Sequence, residues 1–292
     1  MKIVYYGKPN ERLSFDKEVQ CTTLNNVKMN QDGYYIFEEN ENTVWKKDER
    51  GYLYPYQKGV IKDFIWKENL NDINPDLIVL NHCDIDQKWI YMELKNRISN
   101  KDKVCILAFS FYDDTKNIND WNKQFKKGQG YFYPKYTDVF YTYGVKKENI
   151  EWVNYFSDSK QEIENKIINS SILVLPQGAP DLLMKRLKEF KLKGIVKRYK
   201  GMIIGCSAGA MVMLDTYHIT PDDEYPDFGY YTGLGLVKGF GIEMHYRNSR
   251  IQKECIEKVK KEKKIPVYGI YETGGLKVID NKSIPFGKID IL

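Results

Sequence analysis

The string Gly205-Cys206-Ser207-Ala208-Gly209-Ala210 is the clearest chemical signal in this 292-residue sequence. It follows an apolar run, residues 202–204, and precedes a helix-compatible stretch, 211–214. A sharp strand-to-helix turn of this kind presents one side chain as a nucleophile, and a helix N-terminus behind it favours developing negative charge. Small residues are needed where the turn brings backbone segments close together. Centring the turn on Cys206 would require glycine at 204 and 208, where Ile204 and Ala208 stand, so the frame selects Ser207. Cys206 is expected to be a small buried neighbour. A serine nucleophile needs a base, and the chain has only three histidines. His82 follows the first apolar strand and is a weak candidate. His218 is 11 residues past Ser207, too near to return easily beyond the elbow helix. His245 lies in an apolar-flanked run, IEMHY, at an expected strand end, and is favoured.

These residues must be held by regular elements. From about residue 76 the pattern alternates strand and helix. Apolar runs at 77–80, 104–109, 150–155, 172–175, 202–204 and 267–271 read as buried strands. Between them, Ser159 opens a capping box with Glu162, Pro180 can start a helix, and Ile251, Cys255 and Val259 share one helix face. Aromatic residues at helical spacing over 131–143 end at Gly144, a suitable helix stop. Apolar strands separated by helices predict an α/β fold, a mostly parallel sheet covered on both faces, with ligands at the carboxyl ends of its strands. Residues 1–75 differ. Short aromatic runs alternate with turn signals at Asp32-Gly33 and at 48–51, which predicts a small β-rich N-terminal unit, with a boundary at 71–75 and a second domain over 76–292. This unit is expected to cover part of the site or to form an oligomer interface, as in a homodimer.

Composition narrows the function classes. The chain is 42% apolar and 29% charged, enough to build a core. Its net charge is only +5, with the signs interspersed, so no nucleic-acid partner is expected. The basic runs at 186–200 and 258–264 alternate with apolar residues and read as solvated helix faces. No apolar stretch approaches a membrane span, and early charges argue against a secretory signal. Five cysteines (21, 83, 105, 206, 255) form no close metal-type pairs, which suits a reducing, cytoplasmic setting. With no metal cluster or phosphate-binding loop in the sequence, no cofactor is expected.

The segments around Ser207 and His245, 38 residues apart, resemble those of the aspartyl dipeptidase (peptidase E) and cyanophycinase family of serine peptidases. So do the strand ending in Pro176-Gln177-Gly178, the Gly233-Leu-Gly-Leu236 segment and the run YGIYE that closes on Glu272. The resemblance covers roughly residues 76–292. It implies a three-layer α/β/α fold related to class I glutamine amidotransferases, and metal-free cleavage of small acidic peptides or of an aspartate–arginine polymer. It further implies Ser207 as nucleophile, His245 as base, and an oxyanion hole from the backbone N–H groups of Gly178 and Ala208. The family's third residue, an acid, lies shortly before the histidine, and Asp222, 15 residues past the serine, matches best. Asp223 and Glu224 are adjacent alternatives, and Glu272, after the last expected strand, is another. The order of preference is Asp222, Glu224, Glu272. In the family the turn reads Gly-Gly-Gly followed by Asn or Asp, whereas this chain has Pro176-Gln177-Gly178-Ala179, so strict specificity for N-terminal aspartate is not expected. Arg247 and Arg250 could meet an acidic substrate group or be exposed helix-start charges.

The leading expectation is therefore a serine hydrolase that cleaves small peptide or amide substrates through an acyl-enzyme. The alternatives are an esterase with the same triad logic and a catalytically vestigial binding module on the same scaffold. The usual α/β-hydrolase plan places its histidine far downstream of the serine, and no histidine follows residue 245 here.

Overall fold

Leu77–Leu80 is apolar at every position, and successive strand side chains point to opposite faces. Leu77 and Val79 enter one buried cluster while Ile78 and Leu80 enter another. A strand with two apolar faces is stable only between two helical layers. A computed structural model of the chain describes residues 75–279 and 282–292 and, before them, the backbone of five short strands.

The chain divides into two units, residues 1–74 and 75–292. In the first, β1 (Ile3–Gly7), β2 (Val27–Met29) and β3 (Tyr35–Glu38) form an antiparallel sheet in the order β1-β3-β2. Strands β4 (Val44–Lys47) and β5 (Leu53–Tyr56) pair antiparallel with each other. The expected turns at Asp32-Gly33 and 48–51, the boundary residues 71–74 and Cys21 lie outside the described residues.

In the second unit, β6 (Leu77–Leu80), β7 (Val104–Leu107), β8 (Ile150–Val153), β9 (Ile172–Leu175) and β10 (Met202–Cys206) are parallel, in the order β6-β10-β9-β7-β8. Strands β11 (Thr216–Ile219) and β12 (Gly229–Thr232) form a separate antiparallel pair. Beyond β6 the sheet continues through β14 (Val267–Ile279) to β13 (Gly241–Glu243), and β15 (Lys282–Ile291) also pairs with β14. Helices α1 (Lys88–Leu94), α2 (Ile118–Phe125), α3 (Tyr133–Tyr141), α4 (Lys160–Ile168), α5 (Pro180–Glu189), α6 (Lys193–Lys197), α7 (Ala208–Met211) and α8 (Arg250–Lys263) make up the rest. Ile90 and Leu94 of α1 and Tyr136 and Phe140 of α3 cover one sheet face. Ile163, Ile167, Leu183, Leu187 and Val196, from α4, α5 and α6, cover the other. The result is an α/β fold with helical layers on both faces. No described helix is long and apolar enough to cross a membrane.

The capping box at Ser159 forms as expected, and Pro180 occupies the first turn of α5. The last strand differs from expectation. The apolar run stops at Tyr271, but β14 continues to Ile279, antiparallel to β6 and β15. Its pairing register with β15 shifts between Ile270 and Gly274, and this bulge absorbs the polar residues Glu272 and Thr273.

Gly209, in α7, packs directly on the end of β9. A Cβ there would lie 1.9 Å from the Leu175 carbonyl oxygen, and backbone on both sides prevents relief. Gly209→Ala should destabilise the fold by about 3 kcal/mol. Urea unfolding should show a lower midpoint with an unchanged slope.

Candidate active site

Strand β10 lies between β6 and β9, with Cys206 opposite Leu80 and Gly205 opposite Leu175. The residues that follow these three strands therefore emerge side by side: Asn81-His82, Ser207 and Pro176-Gln177-Gly178. This is the carboxyl edge of the parallel strands, where α/β sheets hold their ligands. Ser207 turns the chain from β10 into α7 with φ 48° and ψ −107°, and its N–H donates to the Leu80 carbonyl at 2.7 Å. Positive φ at a non-glycine residue is costly and is retained where the surroundings impose it. Cys206 points the other way and is fully buried. Burial, reinforced by the neighbouring Cys83 thiol, pushes its thiol well above the usual range, so it stays protonated and poorly nucleophilic.

His245 follows β13 by two residues, also with positive φ, 49°. Asn81, almost completely buried, fixes it: the His245 N–H donates to Asn81 Oδ1 at 2.8 Å, and Asn81 Nδ2 donates to the Ile270 carbonyl at 2.9 Å. From α8, Gln252 Nε2 donates to the His245 carbonyl at 3.1 Å. The ring then spans two partners. Its Nε2 lies 3.0 Å from Ser207 Oγ, and its Nδ1 lies 3.2 Å from Glu272 Oε1. A carboxylate oxygen that accepts from Nδ1–H leaves Nε2 as the acceptor for the Ser207 hydroxyl. Glu272 reaches this position from the β14 bulge.

Asp222 is not the residue that meets His245. Its Oδ1 accepts from the backbone N–H groups of Glu224 (3.0 Å) and Tyr225 (2.7 Å), closing its own turn. Asp222 and Glu224 line the cavity beside Ser207, but Glu272, ranked last of the three acids, holds the histidine. Glu272 reaches the histidine because β14 continues past Tyr271 as a long antiparallel strand. Gly178 lines the cavity with φ 133°, and a Cβ there would lie 2.1 Å from the Ser110 carbonyl oxygen, so only glycine fits. Ala208 is the first residue of α7. Arg247 lines the cavity, whereas Arg250 is turned outward and pairs with Glu254 at 2.7 Å. His218 is buried, its Nε2 2.7 Å from Glu243 Oε2, and is fixed in the cavity wall. His82 takes up a position that its sequence context did not reveal: its Nε2 is 2.8 Å from Glu272 Oε2, and its Nδ1 is 3.2 Å from Gln177 Oε1. The cavity has a volume of about 660 Å³, in the range of small-ligand sites, and is walled by aromatic residues including Phe111, Tyr112 and Tyr225.

Residues 128–284 match the model of peptidase family S51. The chain belongs to peptidase family S51. The match includes Gly178, Ser207, His245 and Glu272, while Asn81 and His82 precede it. As an S51 member the protein is a serine peptidase. Its fold is similar to that of a candidate peptidase E protein from Listeria monocytogenes EGD-e, solved by crystallography (TM-score 0.53, 16% identity, 73% of this chain and 98% of that one covered). It is also similar to a peptidase from an acI-B1 Actinobacterium (TM-score 0.56, 13% identity, 76% and 92% covered). No curated protein matches the chain.

For this S51 peptidase, Asn81→Leu removes the partner of the His245 N–H and one donor to the Ile270 carbonyl. The expected cost is about 1–3 kcal/mol in unfolding free energy. Unchanged stability in urea titration would show that other contacts hold the His245 turn.

Proposed function

We propose that the protein hydrolyses small peptide or amide substrates through an acyl-enzyme on Ser207, with His245 as general base and Glu272 as the acid that orients it. The observation carrying this reading is the continuous chain Ser207 Oγ–His245 Nε2 and His245 Nδ1–Glu272 Oε1, at 3.0 and 3.2 Å. In acylation, Ser207 Oγ attacks the substrate carbonyl carbon while its proton passes to His245 Nε2. The carbonyl π electrons move onto oxygen. Glu272 stabilises the imidazolium that results. Collapse of the tetrahedral intermediate expels the amine, which takes the proton from Nε2. Water then attacks the acyl-enzyme, His245 accepts its proton, and the acid product leaves as Ser207 is restored.

The oxyanion is assigned to the backbone N–H groups of Ala208, at the start of α7, and Gly178, in the tight turn beside it. Donors of this kind are worth about 3–4 kcal/mol of transition-state stabilisation each. The cavity volume suits a short peptide rather than a folded protein. Of the two arginines near His245, Arg247 is the one placed to meet a substrate carboxylate. Asp222 and Glu224 stand across the same cavity and would favour a cationic group. A reducing, cytoplasmic setting is supported by four free buried thiols, Cys83, Cys105, Cys206 and Cys255.

A fluorophosphonate probe should label Ser207 in the full-length protein, and Ser207→Ala should abolish both labelling and hydrolysis. A folded wild-type protein that resists the probe would point instead to a vestigial site. Glu272→Gln keeps the shape but loses the charge that fixes the histidine tautomer. It should lower kcat by about 10²–10⁴ with little change in KM. Asp222→Asn retains the side-chain oxygen that closes its turn and should stay near wild type. The reverse pattern would return the acid to Asp222.

A further inference from the structure

Glu272 is shared between two histidines. Its Oε1 faces His245 Nδ1 at 3.2 Å and its Oε2 faces His82 Nε2 at 2.8 Å. The imidazole rings lie 5.1 Å apart, and one ligand atom from each of the three residues falls within 4.8 Å of the others. All three side chains are partly open to solvent, with exposures of 39%, 35% and 45% for His82, His245 and Glu272. Two imidazoles and a carboxylate form a favourable set for zinc, which takes three protein ligands and keeps a fourth position for water. Ligand atoms about 2.0–2.1 Å from a tetrahedral zinc stand about 3.3 Å apart, close to the two carboxylate–histidine spacings of 2.8 and 3.2 Å. The outer shell is also present. His82 Nδ1 faces Gln177 Oε1 at 3.2 Å, the contact that directs a histidine's other nitrogen toward a metal.

We infer that His82, His245 and Glu272 form a zinc-binding site whose occupation switches the peptidase off. Zinc is held by His82 Nε2, His245 Nδ1 and a Glu272 oxygen, with water in the fourth position. A neutral imidazole coordinated through Nδ1 carries its proton on Nε2. That nitrogen then faces Ser207 as a donor and cannot accept the hydroxyl proton. His245 keeps one proton, moved from Nδ1 to Nε2, and any proton on His82 Nε2 passes to water. Glu272 is meanwhile engaged by the metal rather than by the histidine proton. The inhibition rests on His245 serving as base, but the binding does not.

The full-length protein is titrated with ZnCl₂ by calorimetry and with CoCl₂ by visible absorption. One ion per chain and the intense absorption of four-coordinate cobalt are expected. Ser207→Ala should bind as tightly as wild type, so the site can be tested even if the hydrolytic reading fails. His82→Ala and Glu272→Gln should weaken binding more than about 100-fold, and Gln177→Ala, which touches only the outer shell, about 10-fold. In wild type, zinc should inhibit hydrolysis at the concentration at which it binds, EDTA should restore it, and Gln177→Ala should shift both curves together. Unchanged binding in folded His82→Ala would overturn the site. If His82→Ala does not fold, unchanged binding in Gln177→Ala would do the same. Tight binding without inhibition would overturn the switch.

Discussion

One buried carboxamide decides whether the serine and the histidine meet. Asn81 accepts from the His245 N–H and donates to the Ile270 carbonyl, so its side chain links the end of β6 to the turn after β13 and to β14, beside the strand pairing that already joins them. Ser207 is tied to the same place, because its own N–H donates to Leu80, the residue before Asn81. Both reactive residues take positive φ, which neither would adopt in a free chain. That strain is sustained because β6 and β10 lie in fixed register and the sheet around them is buried on both faces. The Ser207–His245 distance is therefore a property of the sheet more than of either loop.

The elbow, the histidine and the parallel half of the sheet were legible in the sequence for specific reasons. The β10 run is apolar at every position and is followed at once by glycine-spaced small residues, a pattern with few structural solutions. The parallel strands 77–80 and 172–175 are equally unambiguous. Glu272 stands just past Tyr271, where the apolar run and the expected strand end. In the fold Glu272 and Thr273 fall in a bulge, after which Gly274 and Gly275 resume pairing with β15, and the Glu272 carboxylate meets His245. Asp222 drew attention through its distance from Ser207 along the chain. Its oxygen, however, is used two and three residues further on, which is a common local use of aspartate in loops. His82 could have been found from its place after β6 combined with the β6–β10 register, but pairing between strands more than 100 residues apart is not visible in one sequence.

The departure of this chain from the glycine-rich family turn also has a physical consequence. Gln177 occupies a position where glycine would leave open space, and its side chain reaches His82. The Gln177 and His82 side chains meet across the end of β10. Together they add a polar layer behind Glu272, outside the Ser–His contact.

The residues of the site are gathered from very distant points in the sequence. Asn81 and Ile270 are 189 positions apart, yet they share a hydrogen bond. Closing such long loops is slow compared with forming helices and neighbouring strand pairs. The alignment of His245 thus depends on contacts of very high sequence separation.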